Sequence, residues 1–195
     1  MTGKLAGKIA VVTGGSAGIG LGIAEHFAAE GARVFITGRH QSELDKAVTA
    51  IGGNAAAIQG DTSNLADLDR IYAIIKAQAG HIDVLAANAG VYEFAALGEI
   101  TEEHFDRTFN TNVRGLLFAV QKALPLLTKG SSVILTGSMG IDQRLPLLLG
   151  VQRVKGRNTL IRTRLDRRPQ GTRHPRQRVE PRLHGDPRPL SFHDG

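Results

Sequence analysis

Residues Thr13–Gly20 read TGGSAGIG and carry the clearest chemistry in the 195-residue chain. The apolar run before them, Lys8–Thr13 (KIAVVT), has the pattern of a strand buried on both faces. The stretch after them, Ile19–Glu30, reads as a helix. A Gly-rich turn between strand and helix lets the backbone bend sharply and approach a diphosphate. The free N–H groups at the helix start add a partial positive charge of roughly half a unit. This is the setting of a dinucleotide site, although such a turn alone could also serve without a ligand.

The elements that must position this turn alternate along residues 1–150. Ala32–Thr37 is a second strand, and Ser42 could cap a helix running to about Ile51. Asn54–Gln59 is an Ala-rich third strand. Leu65–Ala79 repeats Leu65, Leu68, Ile71, Tyr72 and Ile75 at helical spacing. Ile82–Ala87 is a fourth strand. Thr101, Glu102 and Glu103 open a long helix to about Leu127, with Pro125 loosening its last turn. Ser132–Thr136 is a fifth strand. Strands alternating with helices predict an α/β fold: a Rossmann-like, doubly wound parallel sheet with helices on both faces, incomplete at the C-terminus.

Four ordered motifs then resemble the short-chain dehydrogenase/reductase family over residues 5–146. TGGSAGIG is similar to its TGxxxGxG fingerprint, in which Gly14, Ser16, Gly18, Ile19 and Gly20 would face the cofactor. Asn88-Ala89-Gly90 matches its NAG motif. Asn112, in NVRG, matches its structural and catalytic Asn, and Ser138, in LTGS, its catalytic Ser. Asp61, after the third strand, matches its adenine-contacting Asp. Singly, each residue has a plainer reading: Asn88 as a partner for strand-end backbone, Asn112 as a polar group facing water, Ser138 as a turn residue, Asp61 as a helix cap. In sequence, the functional reading is the stronger.

The resemblance implies reversible hydride transfer between a nicotinamide and a small-molecule carbonyl or alcohol. NAD-binding members often carry a carboxylate at the end of the second strand for the ribose 2′-OH. Here that stretch is Thr37-Gly38-Arg39, and Arg39 could fork onto a 2′-phosphate, which favours NADP over NAD. In the family, a Tyr protonates the carbonyl oxygen and a Lys four residues later lowers that Tyr's pKa. The Ser orients the carbonyl, and the Asn holds a relay water. No metal is expected.

The sequence departs from the family at this point. The Tyr position, thirteen residues after Ser138, is Val151; the only tyrosines are Tyr72 and Tyr92. Lys155 does stand where the Lys belongs. Read forward by one nucleotide, the codons of residues 151–158 can spell YSASKAA, with Tyr at the position of Val151 and Lys at that of Lys155. In the same frame His174–Arg178 can encode IRVNA, Glu180–Arg182 SPG and Asp186-Pro187 TP, in the family's order. The reading is a single-nucleotide insertion between about Pro146 and Leu149.

The composition agrees. Residues 1–150 hold 12 Lys+Arg against 14 Asp+Glu, while residues 151–195 hold 12 against 4, with 11 Arg and five of the seven Pro. GC-rich codons read out of frame give such residues. The expected organisation is therefore a nucleotide-binding domain over 1–150 and an irregular, poorly packed tail over 151–195. The family's sixth and seventh strands would be missing, and the chain as written would be inactive. A non-catalytic nucleotide-binding module is the alternative. A nucleic-acid arm is disfavoured because Phe192 is the tail's one aromatic. Without Cys, disulfides, thiolate metal sites and Cys nucleophiles are excluded. With no long apolar run or signal-like leader, the expectation is a cytoplasmic protein without membrane partners. Intact relatives are often homo-oligomers.

Overall fold

The computed structural model describes residues 3–137. Ser138, Lys155, the tail and the expected boundary at residue 150 lie outside the described residues. Five strands, β1 (Ile9–Thr13), β2 (Arg33–Gly38), β3 (Ala55–Gln59), β4 (Ile82–Ala87) and β5 (Leu127–Leu135), form one parallel sheet in the order β3-β2-β1-β4-β5. The sheet is Rossmann-like, as the alternating pattern implies. Parallel strands need crossovers, and helices on both faces bury the apolar side chains of each strand.

Two apolar clusters flank the sheet. On one face Val11, Phe35 and Leu85 pack with helix α3 (Leu65–Ala79) and helix α5 (Leu116–Ala123). On the other, Val12, Val34, Ile36 and Ala86 pack with helix α1 (Gly18–Ala29) and helix α2 (Gln41–Ile51). Helix α3 forms where its periodicity places it. Asn64 caps its first turn by accepting from Ala66 N–H at 3.0 Å, and Gly80, at φ 76°, ends it. Its Leu68, Ile71, Tyr72 and Ile75 are buried, at about 1.5–3 kcal/mol for each large apolar side chain. The buried Tyr72 hydroxyl donates to Ala119 O at 2.6 Å, tying α3 to α5. Burial pushes the Tyr72 phenol far above its usual pKa, so it is a structural donor and not an acid–base group.

Three expectations need correction. Helix α2 starts at Gln41, with His40 extended before it, so Ser42 lies inside the first turn and caps nothing. The chain pairs up to Gly38, where Gly60 N–H donates to Gly38 O, and turns at once. The long helix from Thr101 is not uniform. Helix α4 (Glu102–Phe109) widens into a π-helical turn at Asn110–Gly115, continues as α5, and ends in a 3-10 turn at Leu124–Leu126 around Pro125. Proline has no N–H to continue the ladder. Strand β5 begins at Leu127 and not at Ser132. It pairs Leu127 with Ile82 and Ser132 with Val84, and the intervening irregularity is held by Ser131 Oγ donating to Ile82 O. Among the described residues no helix is long and apolar enough to cross a membrane.

The N-terminal ends of β1 and β4 are locked by Asp83. Its carboxylate accepts from Ile9 N–H and from Lys8 Nζ, both at 2.9 Å, and lies 3.0 Å from His81 Nε2. Burial opposes its charge, but the Ile9 and Lys8 hydrogen bonds and the nearby Lys8 and His81 charges outweigh burial and hold the carboxyl below its usual range. A depressed carboxylate adds stability above its unfolded pKa, and that stability is lost as pH falls through the folded one. Asp83→Asn should therefore lower stability at pH 7 by on the order of 1–2 kcal/mol. The deficit should shrink to nothing at acid pH, as urea midpoints measured down to pH 2–3 will record.

Candidate functional site

Strand order fixes where a ligand can lie. From β1 the chain runs outward to β2 and β3, then returns to β4 on the other side of β1, so the sheet has its switch point between β1 and β4. Open α/β sheets bind ligands at the carboxyl ends of the strands beside such a point. A cavity of about 390 Å³ opens there.

The turn after β1 is welded to the end of β4. Thr13 Oγ1 accepts from Asn88 N–H at 3.0 Å and from Ala89 N–H at 3.1 Å. Asn88 Nδ2 donates to Thr13 O and Gly14 O, both at 3.3 Å. The approach is so close that it depends on two glycines. A Cβ on Gly20 would lie 2.0 Å from Gly14 O and 2.6 Å from Asn88 Nδ2. Gly14 sits at φ 65°, and a Cβ there would lie 2.9 Å from Ala89 Cα. Helix α1 therefore starts hard against the turn, with its first N–H groups short of intrahelical partners.

Most of the expected residues meet in this cavity. Gly14, Ser16, Ile19, Arg39, Asp61 and Asn88 line it, together with Ala89 and Gly90. Gly18 opens α1 beside Ala17 and Ile19, and Gly20 is buried behind. Asp61 is not the cap of α3; that is Asn64. The Asp61 Oδ1 accepts from Ser63 N–H and Ser63 Oγ, both at 2.8 Å, which fixes the carboxylate at the cavity wall. Its own N–H donates to Asp67 Oδ2 at 2.8 Å. That bond, with Arg70 beside it, holds the Asp67 carboxyl below its usual range.

Asn112 does not face water. It is buried in the π turn and holds the segment after β4 by two bonds: Oδ1 accepts from Val91 N–H at 2.8 Å, and Nδ2 donates to Val91 O at 2.9 Å. Arg114 Nη1 donates to Ser63 O at 2.9 Å, tying the same turn to the β3–α3 loop. Sequence reasoning missed Thr13 as the clamp and Thr37, His40, Tyr92, Thr111 and Thr136 as lining residues. Thr37 and Thr136 were findable as strand-end positions. Thr37 Oγ1 is buried at the cavity without a hydrogen-bond partner among the described residues. Tyr92 and Thr111 are the chain neighbours of Val91 and Asn112, the two residues whose hydrogen bonds tie these segments together.

The cradle suits a dinucleotide diphosphate: a tight turn that a Cβ would fill, a helix N-terminus, and Arg39 and Asp61 at the far end. Comparison with known proteins agrees. The family model for short chain dehydrogenases matches residues 8–148. An oxidoreductase of Sarocladium schorii, asL5, is 50% identical over 137 residues, covering 69% of this chain and 55% of that protein. A blue fluorescent protein from a metagenomic library, solved with NADPH, superposes with a TM-score of 0.72 at 34% identity, covering 77% of this chain and 64% of that one. A 3-ketoacyl-(acyl-carrier-protein) reductase of Brucella melitensis, complexed with NADH, gives 0.73 at 31%, covering 78% and 66%. The match thus spans about half of the curated relative's length.

Two variants test the weld. Thr13→Val removes one acceptor from two N–H groups and should cost roughly 1–3 kcal/mol in denaturant unfolding. Gly20→Ala must push Gly14 or Asn88 aside, and should abolish coenzyme binding in calorimetry.

Proposed function

The chain belongs to the short-chain dehydrogenase/reductase family, and we propose that its cradle takes NADP in preference to NAD for hydride transfer with a carbonyl or alcohol substrate. The observation that carries this reading is the continuity of the cavity. It runs from Arg39 and Asp61, past the Gly14–Ile19 turn, to Asn88–Gly90 and Thr136. Arg39 is the side chain for a 2′-phosphate, and Ser16 lies beside it across Gly38, 3.1 Å from where a Gly38 Cβ would be. No carboxylate stands at the end of β2 to favour a free ribose 2′-OH. Structural relatives carry NADPH in one case and NADH in another, so the preference rests on these residues.

When bound, the nicotinamide supplies or accepts the hydride. The chain's own groups would do the rest. Helix α1 and the turn hold the diphosphate through main-chain N–H groups. Asp61 would accept from the adenine amino group. Ser138 would orient the substrate oxygen and stabilise charge developing on it. Asn112, whose side-chain amide is engaged by Val91, acts by fixing the wall of the pocket. Lys155 would supply a positive charge, but the Tyr whose proton it should govern is absent: Val151 occupies the position.

We therefore read the chain as a coenzyme binder whose turnover has been lost to a one-nucleotide insertion between about Pro146 and Leu149. Loss of the acid–base group alone costs roughly 10²–10⁴ in rate. The as-written chain should bind NADPH, seen as enhanced coenzyme fluorescence, without oxidising it in the presence of ketones. The frame-restored gene should gain carbonyl reduction. Arg39→Asp should weaken NADPH binding by roughly 10- to 100-fold, the scale of a charge-assisted hydrogen bond, and favour NADH. An intact-gene product confirmed by resequencing and mass, with turnover as written, would overturn the reading.

A further inference from the structure

We infer that Arg114 is a positioning residue for coenzyme recognition: through Ser63 it holds the Asp61 carboxylate in the orientation that receives the adenine amino group. The inference rests on the role proposed for Asp61 and adds the residue on which that role depends.

The Asp61 carboxylate is set first from its own loop. Ser63 donates both its N–H and its hydroxyl to Asp61 Oδ1, each at 2.8 Å. Asp61 Oδ2 has no hydrogen bond among the described residues, and it is the oxygen left for a donor in the cavity that Asp61 lines. Asn64 N–H closes the loop by donating to Asp61 O at 3.0 Å. Asp67 accepts from Asp61 N–H at 2.8 Å and fixes the backbone from the α3 side. All of these bonds stay within the segment from β3 to α3.

The π turn at Asn110–Gly115 holds the same loop from outside that segment. Gly115 is buried, and a Cβ there would lie 2.9 Å from Thr62 O, so the turn sits directly against the loop backbone. Next to it, Arg114 Nη1 donates to Ser63 O at 2.9 Å. Arg114 has no carboxylate partner among the described residues, so its charge-assisted hydrogen bond goes to this carbonyl. The guanidinium also lies 5.8 Å from the centroid of the Phe118 ring, a cation–π contact that steadies it. Ser63 is therefore the link: its carbonyl takes Arg114, while its N–H and hydroxyl hold Asp61. Asp61 and Thr62 line the cavity, and Ser63 and Arg114 do not. Any effect of Arg114 on a ligand there must pass through the loop.

The test uses the full chain and calorimetry with two probes: NADPH and its deamino analogue, in which an oxo group replaces the adenine amino group. The parent should bind the analogue about 10-fold or more weakly than NADPH, because a donor to the carboxylate is replaced by an acceptor. Asp61→Ala should bring that ratio close to one. Arg114→Ala should lower the ratio at least about threefold by weakening NADPH and not the analogue. Arg114→Met, which keeps the stem beside Phe118 without the donor, should do the same. Arg114→Lys, whose ammonium can still donate to Ser63 O, should keep the ratio within about twofold of the parent. The double variant Arg114→Ala/Asp61→Ala should match Asp61→Ala. Urea unfolding of every variant reads stability separately. An unchanged ratio in Arg114→Ala and Arg114→Met, or equal weakening of both probes, overturns the positioning role alone. A parent ratio near one, or an Asp61→Ala variant that keeps the parent ratio, overturns the Asp61 reading and this inference together. Absence of NADPH binding in the folded parent overturns the coenzyme reading as well.

Discussion

The site depends on one contact, the junction of the β1 turn with the end of β4. Three residues make it. Thr13 accepts two N–H groups from Asn88 and Ala89, Asn88 returns its amide to the carbonyls of Thr13 and Gly14, and Gly20 leaves the space in which they meet. The half-buried polar groups here satisfy one another, and a group deprived of its partner in such a place is costly. What remains open is the row of helix N–H groups facing the cavity. The junction therefore does two things at once: it closes the sheet at its switch point, and it sets the N-terminus of α1 in the cavity that Arg39 and Asp61 also line.

A second tie works the same way on the other side. The π turn at Asn110–Gly115 widens the helix and turns Asn112 inward, where it takes both backbone groups of Val91. Because Val91 directly follows Asn88-Ala89-Gly90, the tie fixes the cavity wall at that point. The residues that look like a catalytic signature in the sequence thus serve first as mutual supports. Their chemical use is possible because the supports are rigid.

Much of this was legible in the residues. Helix α3 and strand β4 form over the ranges their patterns indicate, because an amphipathic run with a clean cap and a buried β-branched run each have one good solution. The cradle was legible because glycine spacing encodes close approach. The broken helix after Thr101 was not. A π turn has no composition of its own, and the Asn112–Val91 pair made from it is a long-range contact. Ser42 looked like a cap because its side chain suits one, but strand pairing at Gly38 sets the start of α2. In the sequence alone, Tyr92 is only a tyrosine in the wrong place for catalysis. Its position at the cavity follows from the fold of the segment around it and from no local pattern.

The most direct measurement is an amide NMR titration of the folded chain with NADPH. The account predicts that the largest shifts fall on the amides of residues 14–20 and 88–90, with a second group at Arg39 and Asp61. Saturable binding that leaves residues 14–20 unmoved, or a folded chain whose spectrum does not change with either nicotinamide coenzyme, would contradict it.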